Sequence, residues 1–401
     1  HSAPPSETLA LLDKIGTPAT VTSNGPNYYG FVIGAVLPVA AAADRLAAAW
    51  DQCASSHMNS PAIAEIEKTA ASWLLDILDL PKSSGVGFGT SATACGLSCF
   101  AVARRSLLQN SGWDIDKKGA WGAPVIRVVI SEKVHVTIIK ALKLLGFGTD
   151  NILTAPTDAH GRILPDKLPP LDQHTILCLQ AGEVNTGEFD PFAEIIPKAK
   201  AAGAWVHVDG AFGLWARASQ KTRHLTQGIE LADSWTTDGH KWLNTPYDSA
   251  AAICRHKSAF AQAHNANAVY SQSEDDAQKN LTLEFSRKAR GLGFWAVLRT
   301  LGRDGVADLV DQYCDHAQDL AAACRDMGIP VLNRVVLNQV LCAFEDSEKT
   351  QNFTKAVQDA GHIWFGQTIW QGKPAFRLSV SSWRTQKQHI EMCVAELKRH
   401  L

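Results

Sequence analysis

The apolar positions of this chain fall into two alternating patterns, short solid runs and longer runs with helical spacing. "VIRVVI" (125–130), "TILCLQ" (175–180), "AWVHVD" (204–209), "SWTTD" (234–238) and "AAAICR" (250–255) are short, mostly apolar segments. Such runs fit strands buried on both faces. Most are separated by stretches such as "VTIIKALKLLGF" and "PFAEIIPKAKAAG", whose apolar residues recur with the helical period. Strand and helix in alternation predict an α/β fold, with a mostly parallel central sheet covered on both faces. Ahead of it, "LPVAAAADRLAAAWDQ" (37–52) and "PAIAEIEKTAASWLLDILDL" (61–80) predict two helices, the second opened by Pro61 in a first-turn position. Behind it, a long helical pattern from residue 286 leads to "VLNRVVLNQVLCAF" and "AFRLSVSSW", expected as strands of a smaller antiparallel unit. The division this suggests is 1–80 as an N-terminal helical segment in a dimer contact, 81–288 as the large α/β domain, and 289–401 as a small C-terminal α+β domain. The least regular stretch is 264–284.

Composition narrows the function classes. A chain of 401 residues, 46% hydrophobic, exceeds the usual single-core size. Its 38 basic and 40 acidic residues nearly cancel, and charged clusters such as "SEDDAQK" (273–279) are short. Nucleic acid and anionic membranes are therefore not expected partners. No apolar run approaches the roughly 18 residues that span a bilayer. The opening "HSAPPSETLALLDK" lacks the basic start and long apolar centre of a signal peptide, so a cytoplasmic protein is expected. Nine cysteines lie scattered without CxxC spacing, and Cys95, Cys99, Cys178 and Cys254 sit in apolar segments. That pattern predicts reduced, buried thiols and no metal site.

In an open parallel sheet, ligands bind at the carboxyl edge of the strands, so polar residues just after apolar runs carry weight. Asp209 closes "AWVHVD" and is followed by "GAFG". A carboxylate buried there needs a cation or a hydrogen-bond donor, and a pyridinium nitrogen would serve. Lys241, in "TTDGHKW", stands beside Trp242 and Leu243. It is expected to be partly desolvated and reactive toward an aldehyde. The pair describes a pyridoxal-phosphate site, although two residues alone more readily describe a structural ion pair. "GVGFGTSATACGLSCFAVARRSLL" (85–108) reads as a glycine-rich turn opening a helix, which turns free N–H groups toward an anion. It matches neither the P-loop nor the dinucleotide fingerprint, and a plain helix cap has the same look. His135 follows "VIRVVI" at a helix start, where it could stack on a flat ring or simply cap.

The order "GTSATACG", "SEKVHVTIIKALKLLG", "QAGEVNTGEFDPF", "WVHVDGAFG", "ADSWTTDGHKWLN" and "SRKARGLGFWAVLRTLGRDGV" resembles the group II pyridoxal-phosphate-dependent decarboxylases. This is the family of aromatic-amino-acid, histidine and glutamate decarboxylases, and the resemblance covers nearly the whole chain. It implies fold type I, similar to aspartate aminotransferase, in a homodimer with active sites at the subunit interface. It also implies pyridoxal 5'-phosphate as cofactor and a small-molecule L-amino acid as substrate, an aromatic one among the candidates, decarboxylated to the amine and CO2. Position by position, Lys241 matches the Schiff-base lysine, Asp209 the partner of the ring nitrogen and His135 the ring-stacking histidine. Ala92 and Thr93 match the phosphate binders, Ala211 the residue on the opposite ring face, and His240 a neighbour of the phosphate. Aminotransferases, aldolase-type lyases and oxygen-consuming aldehyde formers share the scaffold and remain alternatives.

Several residues have two readings. Arg377 resembles the arginine that grips the α-carboxylate in aminotransferases, which is structural in some decarboxylases. Tyr28, Tyr29 and Phe31 match a pocket-lining segment of relatives, and an aromatic cluster is also ordinary core or dimer contact. His207 shares a strand face with Asp209, as its partner or as a satisfied core histidine. Relatives carry a tyrosine on a mobile loop that returns a proton to Cα. The corresponding "SQSEDDAQKNLTLEF" (271–285) has none, and the chain's five tyrosines are Tyr28, Tyr29, Tyr247, Tyr270 and Tyr313. Slow decarboxylation, or an oxygen-consuming side reaction to an aldehyde, is the expectation.

Overall fold

The computed structural model describes residues 2–265 and 276–401. Tyr270 and the first part of the tyrosine-free stretch, 271–275, lie outside the described residues. The chain enters through α1 (Pro5–Leu11), β1 (Tyr28–Tyr29), α2 (Pro38–Trp50) and α3 (Pro61–Ile77). A first αβ block follows: β2 (Gly85–Gly89), α4 (Ala92–Asn110), α5 (Ile115–Lys118), β3 (Arg127–Ser131), α6 (Val136–Leu144), β4 (Ile152–Ala155) and β5 (Thr175–Gln180). It continues with α7 (Phe192–Ala201), β6 (Trp205–Asp209), β7 (Ser234–Asp238), β8 (Ala250–Cys254) and α8 (Lys257–His264). The chain then runs through α9 (Gly291–Asp326), β9 (Gln339–Cys342), α10 (Ser347–Ala360), β10 (Trp364–Trp370), β11 (Lys373–Ser379) and α11 (Lys387–Arg399).

The seven-stranded sheet has the order β2-β8-β7-β6-β5-β3-β4. Its ladder is parallel from β7 through β6, β5 and β3 to β4, while β8 runs antiparallel to both β7 and β2. The mostly parallel sheet expected from the apolar runs is thus found, with β8 as its antiparallel member. Alternate residues of each central strand enter opposite cores: Leu177 and Leu179 face one layer, Ile176 and Cys178 the other. This is the two-sided burial that makes such strands read as unbroken apolar runs. "GVGFG", expected as a turn, is the buried strand β2. A Cβ at Gly87 would stand 1.7 Å from the Leu281 carbonyl oxygen, so its glycines serve close backbone approach. The smaller sheet, β1-β10-β11-β9, takes its first strand from the N-terminal segment. Helix α9 is broken once, at Gly302, where φ is 62°.

Glu67 of α3 and Arg287, just before α9, form a fully buried two-pronged ion pair, with N–O distances of 2.7 and 3.0 Å. Arg287 also donates to the Ala54 and Phe88 carbonyls, and Glu67 accepts from the Gly291 amide. One cluster therefore joins α3, β2 and the start of α9. Glu67→Leu would strand a guanidinium in the core, and urea denaturation should show a loss of about 3–5 kcal/mol. Glu67→Leu with Arg287→Met should recover most of it, because no charge is then left unpaired. An unchanged midpoint in the single variant would mean that water reaches the arginine.

Candidate active site

The carboxyl edge of the large sheet carries the polar residues. With two antiparallel steps between them, β2 and β7 point the same way, so the ends of β2, β3, β5, β6 and β7 share one edge. A cavity of about 360 Å³ opens there, lined among others by Ala92, Thr93, His135, Asp209, Ala211, His240 and Lys241. All seven residues that the resemblance placed at the coenzyme therefore meet at one place. A larger groove, about 600 Å³, runs along α3 beside β2 and holds none of them.

Asp209 ends β6, is 8% exposed, and accepts the Ala211 amide at 3.2 Å. Burial pushes its carboxyl above the usual carboxylate range, and the positive charge of Lys241, with that of His135 when protonated, pulls it back. Lys241 is partly desolvated as expected, its side chain 23% exposed, but not by the neighbours expected to do it. Trp242 and Leu243 turn into the core, each 1% exposed, and the lysine amine sits 3.0 Å from Asp238. It is held in an ion pair on the cavity wall. Asp238 also accepts the Ala92 amide at 2.6 Å, which ties the lysine loop to the first turn of α4. The Ala92 N–H is thus engaged by a carboxylate, while Thr93 stands half-buried on the cavity wall. Asp238 was missed in the sequence, although it closes the apolar run "SWTTD" just as Asp209 closes "AWVHVD".

His135 both caps and lines. Its Nδ1 stands 2.7 Å from the Thr137 hydroxyl and accepts the Thr137 amide at the start of α6, and burial lowers its affinity for a second proton. An accepting Nδ1 assigns the ring proton to Nε2. His240 accepts the Ser249 amide at 3.3 Å and stacks on Tyr247, ring centroids 4.2 Å apart. His207 is not a partner of Asp209. Its Nδ1 meets the Ser234 hydroxyl at 2.9 Å, its ring packs on Phe100, and burial lowers its pKa to about 3, so it is a neutral core histidine. Arg377 lines the cavity, but its two terminal nitrogens donate to the backbone carbonyls of Val184 and Phe31. Phe31 stacks on Trp364, which stacks in turn on Tyr28. Gln180, at the end of β5, was not singled out either. It is buried, lines the cavity, and its Nε2 has no hydrogen-bond partner.

A buried carboxylate short of a cation and a positioned amine in one cavity fit a coenzyme that brings both a ring cation and an aldehyde. The site and sheet together describe a pyridoxal-phosphate enzyme of fold type I. Residues 12–340 match the model of the pyridoxal-dependent decarboxylase conserved domain, and the chain belongs to that family. It is a carboxy-lyase with pyridoxal phosphate as cofactor. It is 26% identical to L-tyrosine/L-DOPA decarboxylase 2 of Lophophora williamsii over 94% of this chain and 80% of that one. It is 25% identical to phenylacetaldehyde synthase of Petunia hybrida, over 94% and 80%. The solved structure of Oryza sativa TDC with PLP and tryptamine superposes with a TM-score of 0.91 at 24% identity, covering all of this chain and 88% of that one. Among the described residues no helix is long and apolar enough to cross a membrane.

Proposed function

We propose that the enzyme decarboxylates an L-amino acid with an aromatic side chain, and that Lys241, Asp209 and His135 carry the reaction. The observation behind this reading is their convergence with Asp238 on one cavity. When bound, pyridoxal phosphate supplies the electron sink for the pair left at Cα as CO2 departs. Asp209 would hold a proton on the ring nitrogen by its charge. Lys241 would bond to the aldehyde, its amine oriented by Asp238. His135, steadied by Thr137, would cover one ring face and keep water from Cα, with Ala211 on the other. Thr93, the Ala92 turn and His240 would hold the phosphate.

The walls support the substrate class. Phe31, Val32, Ile33, Val184, Phe212 and Tyr247 give the cavity an apolar and aromatic lining. Among the described lining residues, the arginine is tied to carbonyls and the lysine to a carboxylate. An acidic side chain would thus find Arg377 already engaged through both terminal nitrogens, with its Nε alone unpartnered, and desolvating that side chain without a full two-pronged pair would be costly.

Oxygen-dependent aldehyde formation is the second reading, favoured by the stretch without tyrosine. Of the described tyrosines, Tyr247 alone lines the cavity, with its phenol pushed up to about 12 by burial, so it is protonated at neutral pH. A panel of aromatic, acidic and aliphatic amino acids, run with and without oxygen, separates the readings through CO2, amine, aldehyde and ammonia. We expect CO2 from aromatic substrates, with part of the product diverted to aldehyde in air. CO2 from acidic substrates alone would overturn the substrate class. Rapid amine formation that ignores oxygen would mean another acid fully replaces the loop tyrosine.

A two-fold homodimer in the cytoplasm completes the proposal. Leu9, Leu11, Leu12 and Ile15 stand 58–66% exposed along one short segment, which calls for a partner surface, and all nine cysteines are free thiols. Light scattering should give twice the 43.4 kDa of the chain. An active monomer would refute it.

A further inference from the structure

We propose that Gln180 is a further coenzyme-binding residue, its side-chain Nε2 donating to the phenolic oxygen that the coenzyme ring carries beside its aldehyde. The inference rests on the reading of this cavity as the coenzyme site. Gln180 ends β5 exactly opposite Asp209, which ends β6. Register partners on neighbouring strands send their side chains to the same face, and both line the cavity. Gln180 is 4% exposed and its Nε2 is buried without a partner. Several buried polar atoms lack a partner, but among the described residues lining the cavity only Gln180 and Arg377 carry one, and a donor so placed forfeits a hydrogen bond to water and gains none in return.

The backbone is fixed from the other side. Asp190, buried, accepts the Gln180 amide at 2.7 Å, and its own amide donates to the Gln180 carbonyl at 3.1 Å. Its second carboxylate oxygen accepts the Ile163 amide at 2.8 Å, and the Ala181 amide donates to the Asp209 carbonyl at 2.8 Å. The end of β5 therefore cannot shift to find its side chain another acceptor.

Adjacent strands lie about 4.8 Å apart, so the two side chains can meet different atoms of one flat ring. The two strand ends offer complementary chemistry to such a ring. An anion, Asp209, suits the protonated ring nitrogen. An N–H without an acceptor suits the phenolic oxygen, which is negative when ionised, and a second carboxylate there would repel it. A donor at that oxygen favours the form of the lysine-bound chromophore with more negative charge. It should therefore lower the pH at which the chromophore loses its proton.

Gln180→Met and Gln180→Leu remove the donor while nearly keeping the volume. Titrating each apo protein with pyridoxal phosphate by tryptophan fluorescence should show about tenfold weaker binding than wild type. The pH midpoint of the visible absorbance, measured without substrate, should rise by on the order of one unit. Gln180→Asn, which keeps an amide, should fall between them and wild type. Apo-protein melting temperatures identify a variant that misfolds, and the other donorless variant then decides. Wild-type affinity and midpoint in a folded Met or Leu variant would overturn the proposal alone. A wild-type protein that binds no coenzyme would overturn it together with the reading of the cavity.

Discussion

Lys241→Ala should purify without a covalently held coenzyme and should lose about 10⁴-fold or more in turnover, as expected when the group that forms the covalent bond is removed. Among the described residues it is the one lysine on the cavity wall, so no neighbour stands ready to take its place. Borohydride treatment of the wild type followed by peptide mass mapping should put the adduct on Lys241 and on no other lysine. Lys241→Arg is the control for structure, because it can keep the ion pair with Asp238 while being unable to form the bond. It should melt near the wild-type temperature and be as inactive as the alanine variant. An adduct on a different lysine, or turnover that survives both substitutions, would sink the assignment.

What could be read from the sequence follows from where the chain is buried. The runs 175–180 and 234–238 are strands to the residue, because burial on both faces leaves no polar position to blur their ends. Strand β4 escaped notice since three of its four residues are partly or well exposed, and β10 since Gly366, Gln367 and Thr368 interrupt its apolar residues. "VLNRVVLNQVLCAF" looks like one long strand, yet only Gln339–Cys342 pairs as one. Upstream, Val335 has a φ of 52°, a conformation that β-branched propensity argues against and tertiary packing imposes. Within the site, Asp209, Lys241 and His135 were visible because unusual residue types followed apolar runs. Asp238 carried the same mark and went unused. Gln180 carried no mark at all, since a neutral amide at a strand end becomes informative only when its partner is seen to be missing. The role of His207 could not be read from strand alternation, because sharing a face with Asp209 does not fix which neighbour a ring nitrogen meets.

Asp209→Asn should still bind the coenzyme and still form the link to Lys241, but turn over about 10²–10³-fold more slowly. The substitution keeps shape and volume, and the side-chain oxygen can still accept the Ala211 amide that Asp209 accepts at 3.2 Å. What it removes is the charge. A neutral amide cannot favour a proton on the ring nitrogen, and an unprotonated ring is a poorer acceptor for the electrons left when CO2 departs. Because the site is buried, water does not screen the loss. The asparagine also relieves a cost, since burial raises the Asp209 carboxyl above its ordinary range. The apo protein should therefore be at least as stable as wild type, while the holoenzyme gains less from its coenzyme. That split, stability retained and turnover lost, separates a catalytic charge from a structural one. Thermal melts with and without coenzyme, set beside kcat on the best substrate of the panel, measure both halves. Unchanged kcat, or an apo variant that unfolds well below wild type, would make Asp209 a structural residue.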